Sequence, residues 1–280
     1  MSKAVAALAT RRPLCAGGAR RGLTLTELLV AATIMVMIVG AMSMLALTVH
    51  SANDHCQGQS LAAQHGRVVL DHLSRTINAA SSSEDFPGFV VITEQLGTAR
   101  FPDTLAVWLP EDAAVDPDGL PRVNELVLFT PDPAQANCLL QIRQAGNSAV
   151  VPAVGDATAW RSLAASLKAD AAAERVTLTD RLRTGALVEQ TGVPDPANLR
   201  GCLRFLRLMA PGESEWADYR GGNLAWDEIA WPLDSYSSVT GTRRVVCQIE
   251  LQIVPSDSDT SAATAVPFFG SAGITYDLSR

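Results

Sequence analysis

Residues 28–47 read LLVAATIMVMIVGAMSMLAL, twenty positions without a charge. As an α-helix rising about 1.5 Å per residue, this run extends about 30 Å, the thickness of a bilayer's hydrocarbon core. A helix that is apolar all round is either a membrane span or the enclosed centre of a large domain. The residues ahead of it choose between the two. Lys3, Arg11, Arg12, Arg20 and Arg21 precede the run with no acidic residue among 1–22, and basic residues on one flank of an apolar span hold that flank in the cytoplasm. The run therefore reads as a transmembrane helix with the N-terminus inside.

Other targeting signals fit less well. A secretory signal has an apolar core of about 7–15 residues followed by a small-residue cleavage site, and His50-Ser51-Ala52 is a poor one. Cys56 stands too far beyond the run for a lipoprotein, being separated from it by Asn53-Asp54-His55 among others. Arg11-Arg12 hints at a twin-arginine signal and the acid-free start at a transit peptide. Neither accounts for Glu27. A carboxylate at the edge of a membrane helix costs on the order of a few kcal/mol and calls for a partner.

The segment Arg20-Arg21-Gly22-Leu23-Thr24-Leu25-Thr26-Glu27-Leu28-Leu29-Val30 resembles the prepilin N-terminal motif, in which a basic leader ends in Gly and continues much as Phe-Thr-Leu-Ile-Glu-Leu-Leu-Val. Leu23 departs from the usual Phe, and Thr26 from the usual aliphatic residue. The resemblance implies cleavage between Gly22 and Leu23 by prepilin peptidase, N-methylation of Leu23, and a subunit-assembly role for Glu27, paired with the terminal amine of a neighbouring subunit. A pair of opposite charges offsets the burial of both. It also implies residence in the bacterial inner membrane, with the head in the periplasm, before incorporation with other pilins or pseudopilins into a pilus or pseudopilus.

After residue 47, Leu61, Val69, Leu73 and Ile77 recur at multiples of four, with Val68 and Leu70 widening the stripe. The spacing predicts an amphipathic continuation of the helix, or a separate helix after a break at residues 51–54. Gly66-Arg67-Val68-Val69-Leu70-Asp71-His72-Leu73-Ser74-Arg75 is similar to the second half of the helix in the larger minor pilins and pseudopilins. All four histidines, His50, His55, His65 and His72, fall in this region. With no i, i+4 pair among them they read as solvated side chains rather than metal ligands.

Strand-like runs follow at 89–93, 104–109, 125–130, 139–143, 202–208, 243–253 and 273–278. The Ala- and Leu-rich stretch 157–184 predicts a helical insertion with Trp160, Leu163, Leu167 and Ala171 on one face. The organisation expected is a leader over 1–22, a transmembrane and amphipathic helix over 23–80, and a head over 81–280. The fold class is α+β, with a long N-terminal helix packed on a β-rich antiparallel, pilin-like head. Residues 204–208, 230–233 and 266–272 also resemble large minor pilins of the J or W type.

Composition excludes other functions. The chain is 48% hydrophobic and 18% charged, ordinary for a packed protein. Without the five leader charges, its net charge of −7 becomes −12, which repels phosphate and argues against nucleic acid as a partner. No phosphate loop, zinc motif or nucleophile elbow is present, so an enzyme is not expected and no cofactor is implied. Two acidic loops, 112–118 and 257–259, are either calcium sites or solvated turns, since they lack EF-hand spacing. Trp216, Trp226 and Trp231 form either a partner surface or head core. Of the five cysteines, Cys15 is in the leader, and Cys202 and Cys247 are candidates for a disulfide, or else buried thiols. The function expected is a minor pilin or pseudopilin. A pilin-anchored adhesin or binding module is the alternative.

Overall fold

The computed structural model describes residues 22–97, 99–110, 119–188, 194–256 and 264–280. Its contacts divide the chain into Met1–Asn53 and Asp54–Arg280. Helix α1 is assigned over Leu25–Asn78 without a break at 51–54.

In the first unit, every described residue of α1 is exposed, the whole apolar run 28–47 included. The hydroxyls inside the apolar run and just beyond it turn back on the helix: Thr33 Oγ1 donates to the Val30 carbonyl, Ser43 Oγ to Val39 and, past the run, Thr48 Oγ1 to Met44. Satisfied in this way, they present little unpaired polarity to a lipid phase.

In the second unit, α1 buries Ala62, Gly66, Val69, Leu73 and Ile77. Val69, Leu73 and Ile77 lie where the sequence-based stripe puts them, with Leu70 partly buried beside them. Leu61 and Val68, 44% and 67% exposed, are corrected, and the small residues Ala62 and Gly66 are buried instead. The cause is close packing: a methyl group at Gly66 would come within 2.3 Å of the Phe268 ring. The helix ends at Asn78, and Gly88 then carries a φ of 84° as the chain enters the first strand.

Strands β1 (Phe89–Leu96), β2 (Ala99–Trp108), β3 (Leu126–Pro131), β4 (Leu139–Arg143) and β5 (Glu174–Thr179) form an antiparallel meander in chain order. Phe89, Leu105, Val107, Phe129 and Leu139 share a core with α1. Val90, Ile92, Trp108, Leu128 and Ile142 meet Trp160 and Leu167 of helix α2 (Ala157–Ala169) on the other side. With both faces covered, β2 and β3 carry the continuous runs Leu105-Ala106-Val107-Trp108 and Leu126-Val127-Leu128-Phe129.

The helical insertion expected over 157–184 is helix only in its first half. Asp156 caps α2 by accepting from the N–H groups of Thr158 and Ala159. Arg175 closes the other end, donating to the carbonyls of Lys168 and Asp170. The chain then pairs with β4 as β5, where Val176, Thr177 and Thr179 suit a pleated edge better than a helix. On α2 the buried set is Trp160, Ala164 and Leu167, with Leu163 partly buried.

A two-stranded ribbon, β6 (Thr184–Val188) with β7 (Pro194–Gly201), leads to a second antiparallel sheet. Its strands are β8 (Leu203–Ala210), β9 (Thr240–Ile253) and β10 (Val266–Ser279), in the order β10-β9-β8. Phe205, Val245, Cys247, Ile249 and Leu251 point into the core that α1 and the first sheet also line. Between β8 and β9, helix α3 (Glu213–Arg220) opens a stretch whose Trp216, Trp226 and Trp231 cluster with Leu278. All three tryptophans are buried, with the Trp226 indole N–H on the Ser237 carbonyl and that of Trp231 on the Trp226 carbonyl.

Candidate functional site

At the start of α1, Gly22 and Leu23 are exposed, and among the described residues nothing lies within 4 Å of where a side chain on Gly22 would begin. Thr24 and Glu27 form a reciprocal cap. The Thr24 N–H and hydroxyl both donate to Glu27 Oε2, at 2.9 and 3.0 Å, and the Glu27 N–H donates to Thr24 Oγ1 at 3.3 Å. This is the Thr-x-x-Glu capping box, and it sets a carboxylate against the positive end of the helix dipole. The signal was present in the sequence but hidden, because an acidic residue beside a membrane run reads first as an unpaired charge. Both Thr24 bonds fall on one oxygen, Oε2, of the exposed Glu27.

The histidines are not all solvated. His50 and His55 are exposed, whereas His65 and His72 are half-buried. His72 Nε2 lies 2.7 Å from Gln141 Oε1, with its ring edge-on to Phe129, and His65 Nδ1 is 3.5 Å from Thr179 Oγ1. They tie α1 to β4 and β5 of the head. Among the described residues, no group of three or more His, Cys, Asp or Glu is placed to hold a metal ion. The acidic loops 112–118 and 257–259 lie outside the described residues.

The pairing of Cys202 with Cys247 is not formed, and no disulfide joins any cysteines among the described residues. The register explains why. Leu203 is opposite Leu251, while Cys247 is opposite Arg207, which sets the two cysteines about five residues, roughly 15 Å, apart along the strands. Cys247 points into the core, and burial pushes its thiol up to about 12. Burial also raises the half-buried Cys202 thiol.

A partly buried charge cluster joins β1, β2, α2 and β7, and sequence reasoning missed it. Glu94 contacts the Lys168 ammonium and receives Arg200 Nη1 on Oε2 at 2.8 Å. Arg200 Nη1 also stands 3.6 Å from Asp103 Oδ2, and its guanidinium covers the Phe101 ring. Asp103 is 1% exposed, and its Oδ2 has no hydrogen-bond partner. Burial and the nearby Glu94 carboxylate push Asp103 up to about 6, against the pull of Lys168 and Arg200. On Glu94, burial pushes up too, but Lys168 and Arg200 outweigh it and hold the group below its ordinary value. Thr104 and Thr130 hydroxyls meet at 2.9 Å beneath the cluster. With each carboxylate facing a cation, the arrangement is suited to fastening elements together. The sequence signal for it was faint, namely an acid just ahead of the apolar run in β2.

No family model matches this chain, and neither does any curated protein or any solved structure.

Proposed function

We propose that this chain is a minor pilin or pseudopilin: a subunit made with a basic leader, cut by prepilin peptidase between Gly22 and Leu23, and assembled into a pilus or type II secretion pseudopilus. The observation that carries this reading is one combination of features. A leader ending Arg20-Arg21-Gly22 is followed by Glu27 in the first turn of an apolar helix whose surface is bare over the span. Capping alone gives Glu27 a role in any anchor helix; its position just after a basic stretch ending in Gly22 is what the prepilin reading explains.

The chemistry of the proposed assembly step follows from the cap. Cleavage exposes an amine at Leu23, four residues from Glu27. In a bundle of such helices, Glu27 Oε1 accepts the amine of a neighbouring subunit while Oε2 retains Thr24. The charge is thereby neutralised within the apolar layer, and the register between helices is fixed, because a shift leaves two charges unpaired in lipid. The bare apolar surface supplies packing, and the small residues Ala31, Ala32, Gly40 and Ala41 let helix backbones approach. A head of the size of residues 81–280 suits a minor subunit better than the bulk component of a fibre.

Glu27→Gln and Glu27→Val test the assembly role. Both variants are expected to insert in the membrane as the parent does and to lose co-purification with partner pilins or pseudopilins. Undiminished incorporation would remove Glu27 from the mechanism.

A further inference from the structure

We propose that Arg200 is a pH-dependent clasp: it holds the end of β7 to β1 through Glu94, and grips β2 as well once Asp103 loses its proton. This concerns the head alone and is independent of the assembly reading, which rests on α1.

The geometry is that of one donor between two acceptors. Arg200 Nη1 stands 2.8 Å from Glu94 Oε2, a full hydrogen bond, and 3.6 Å from Asp103 Oδ2, just beyond one. The Thr104 hydroxyl lies 3.3 Å from Asp103 Oδ1, so that oxygen has a donor. Oδ2 has none, although the residue is 1% exposed. A protonated carboxyl tolerates one bare oxygen, whereas a buried carboxylate does not. Among the described residues, Arg200 is the one cation within 4 Å of Asp103. Lys168 is committed elsewhere, to Glu94 Oε1 and, at 3.2 Å, to Thr104 Oγ1. The Arg200 side chain keeps 28% of its surface exposed and lies over the Phe101 ring, so it has room to close the gap.

The charged groups that act on Asp103 are Glu94 from β1, Lys168 from α2 and Arg200 from β7. A hollow of about 570 Å³ beside them, bounded also by Leu199, by Arg161 of α2 and by Asp132 of the β3–β4 turn, brings solvent to the clasp. Glu94 is held below its ordinary 4.5 and keeps its charge at pH 5 and above. Asp103, pushed up to about 6, changes charge in that range. Arg200 pulls the Asp103 pKa down while burial pushes it up, so removing Arg200 raises it further. The stability supplied by the Arg200–Asp103 pair is therefore present above that pKa and is lost as pH falls through it. Ionisation of Asp103 still weakens the fold as a whole, and the pair offsets a share of that loss.

A double-mutant cycle of Asp103→Asn and Arg200→Gln, read by denaturant melts of the detergent-solubilised full chain, tests the clasp at pH 5 and pH 8. At pH 5, where Asp103 is mostly protonated, Arg200→Gln should lower the folding equilibrium constant equally with and without Asp103→Asn. At pH 8 it should lower the constant about tenfold more in the parent than in the Asp103→Asn background. Carbon-13 NMR of the Asp103 carboxyl gives a second reading, which a merely structural role for Arg200 would not move. In Arg200→Gln the proton affinity of Asp103 should be about tenfold higher than in the parent. Arg200→Lys keeps the cation and should titrate near the parent. Equal coupling at the two pH values, a larger one at pH 5, an Asp103 titration indifferent to Arg200→Gln, or an Arg200→Lys variant that behaves as Arg200→Gln does would each overturn the proposal.

Discussion

Asp103 is the residue at which this head is least at ease. Its carboxyl is almost fully buried, one oxygen lacks a hydrogen bond, and its pKa is pushed from an ordinary 3.8 to about 6. Between those values the folded chain binds more protons than the unfolded one. The contribution of Asp103 to stability is therefore complete below 3.8 and is lost as pH rises through 6. Glu94 behaves oppositely, contributing above its ordinary 4.5 and losing that contribution on acidification. Asp103→Asn is thus expected to be more favourable relative to the parent at pH 7 than at pH 4, by up to about 3 kcal/mol. Denaturant melts of the detergent-solubilised chain at the two pH values measure this difference. The same difference at both would mean that Arg200 already compensates the charge. Glu27 teaches a related lesson, since its capping partner lies only three residues away yet is noticed only when Thr24 is read as a cap.

At the scale of elements, the second half of α1 holds the head together, and its contribution is unevenly distributed. Leu73→Ala removes a fully buried side chain and should cost about 2–5 kcal/mol. Val68→Ala, on the exposed side of the same helix, should stay within about 0.5 kcal/mol. Equal losses on thermal unfolding would mean that the helix faces are wrongly assigned. The sequence was legible where one physical signal dominated, as in the span at 28–47 and in β2, β3, β4 and β9. It was illegible where two signals competed. At 157–184 alanine and leucine favoured a helix throughout, but pairing with β4 claimed residues 174–179. Along α1 apolar size suggested Leu61 and Val68, while the close approach of Phe268 demanded Gly66. The charge cluster was beyond reach, because it assembles residues from four elements spread over 94–200.

As a whole molecule, the chain is α+β: one long helix, apolar and bare in its first half, and an antiparallel β-rich head that closes its core around the second half. The bare half is long and apolar enough to cross a membrane, and Glu27 at its start, capped by Thr24, is the charge the proposal pairs with a neighbour's amine. In a prepilin-type subunit one cleavage supplies that amine. The claim is tested most directly by mass spectrometry of the chain isolated from membranes of cells containing prepilin peptidase, beside a Gly22→Phe variant. The parent should begin at an N-methylated Leu23, lacking residues 1–22, and the variant should keep its leader. A parent chain that retains residues 1–22, or that begins beyond residue 47, would contradict the account.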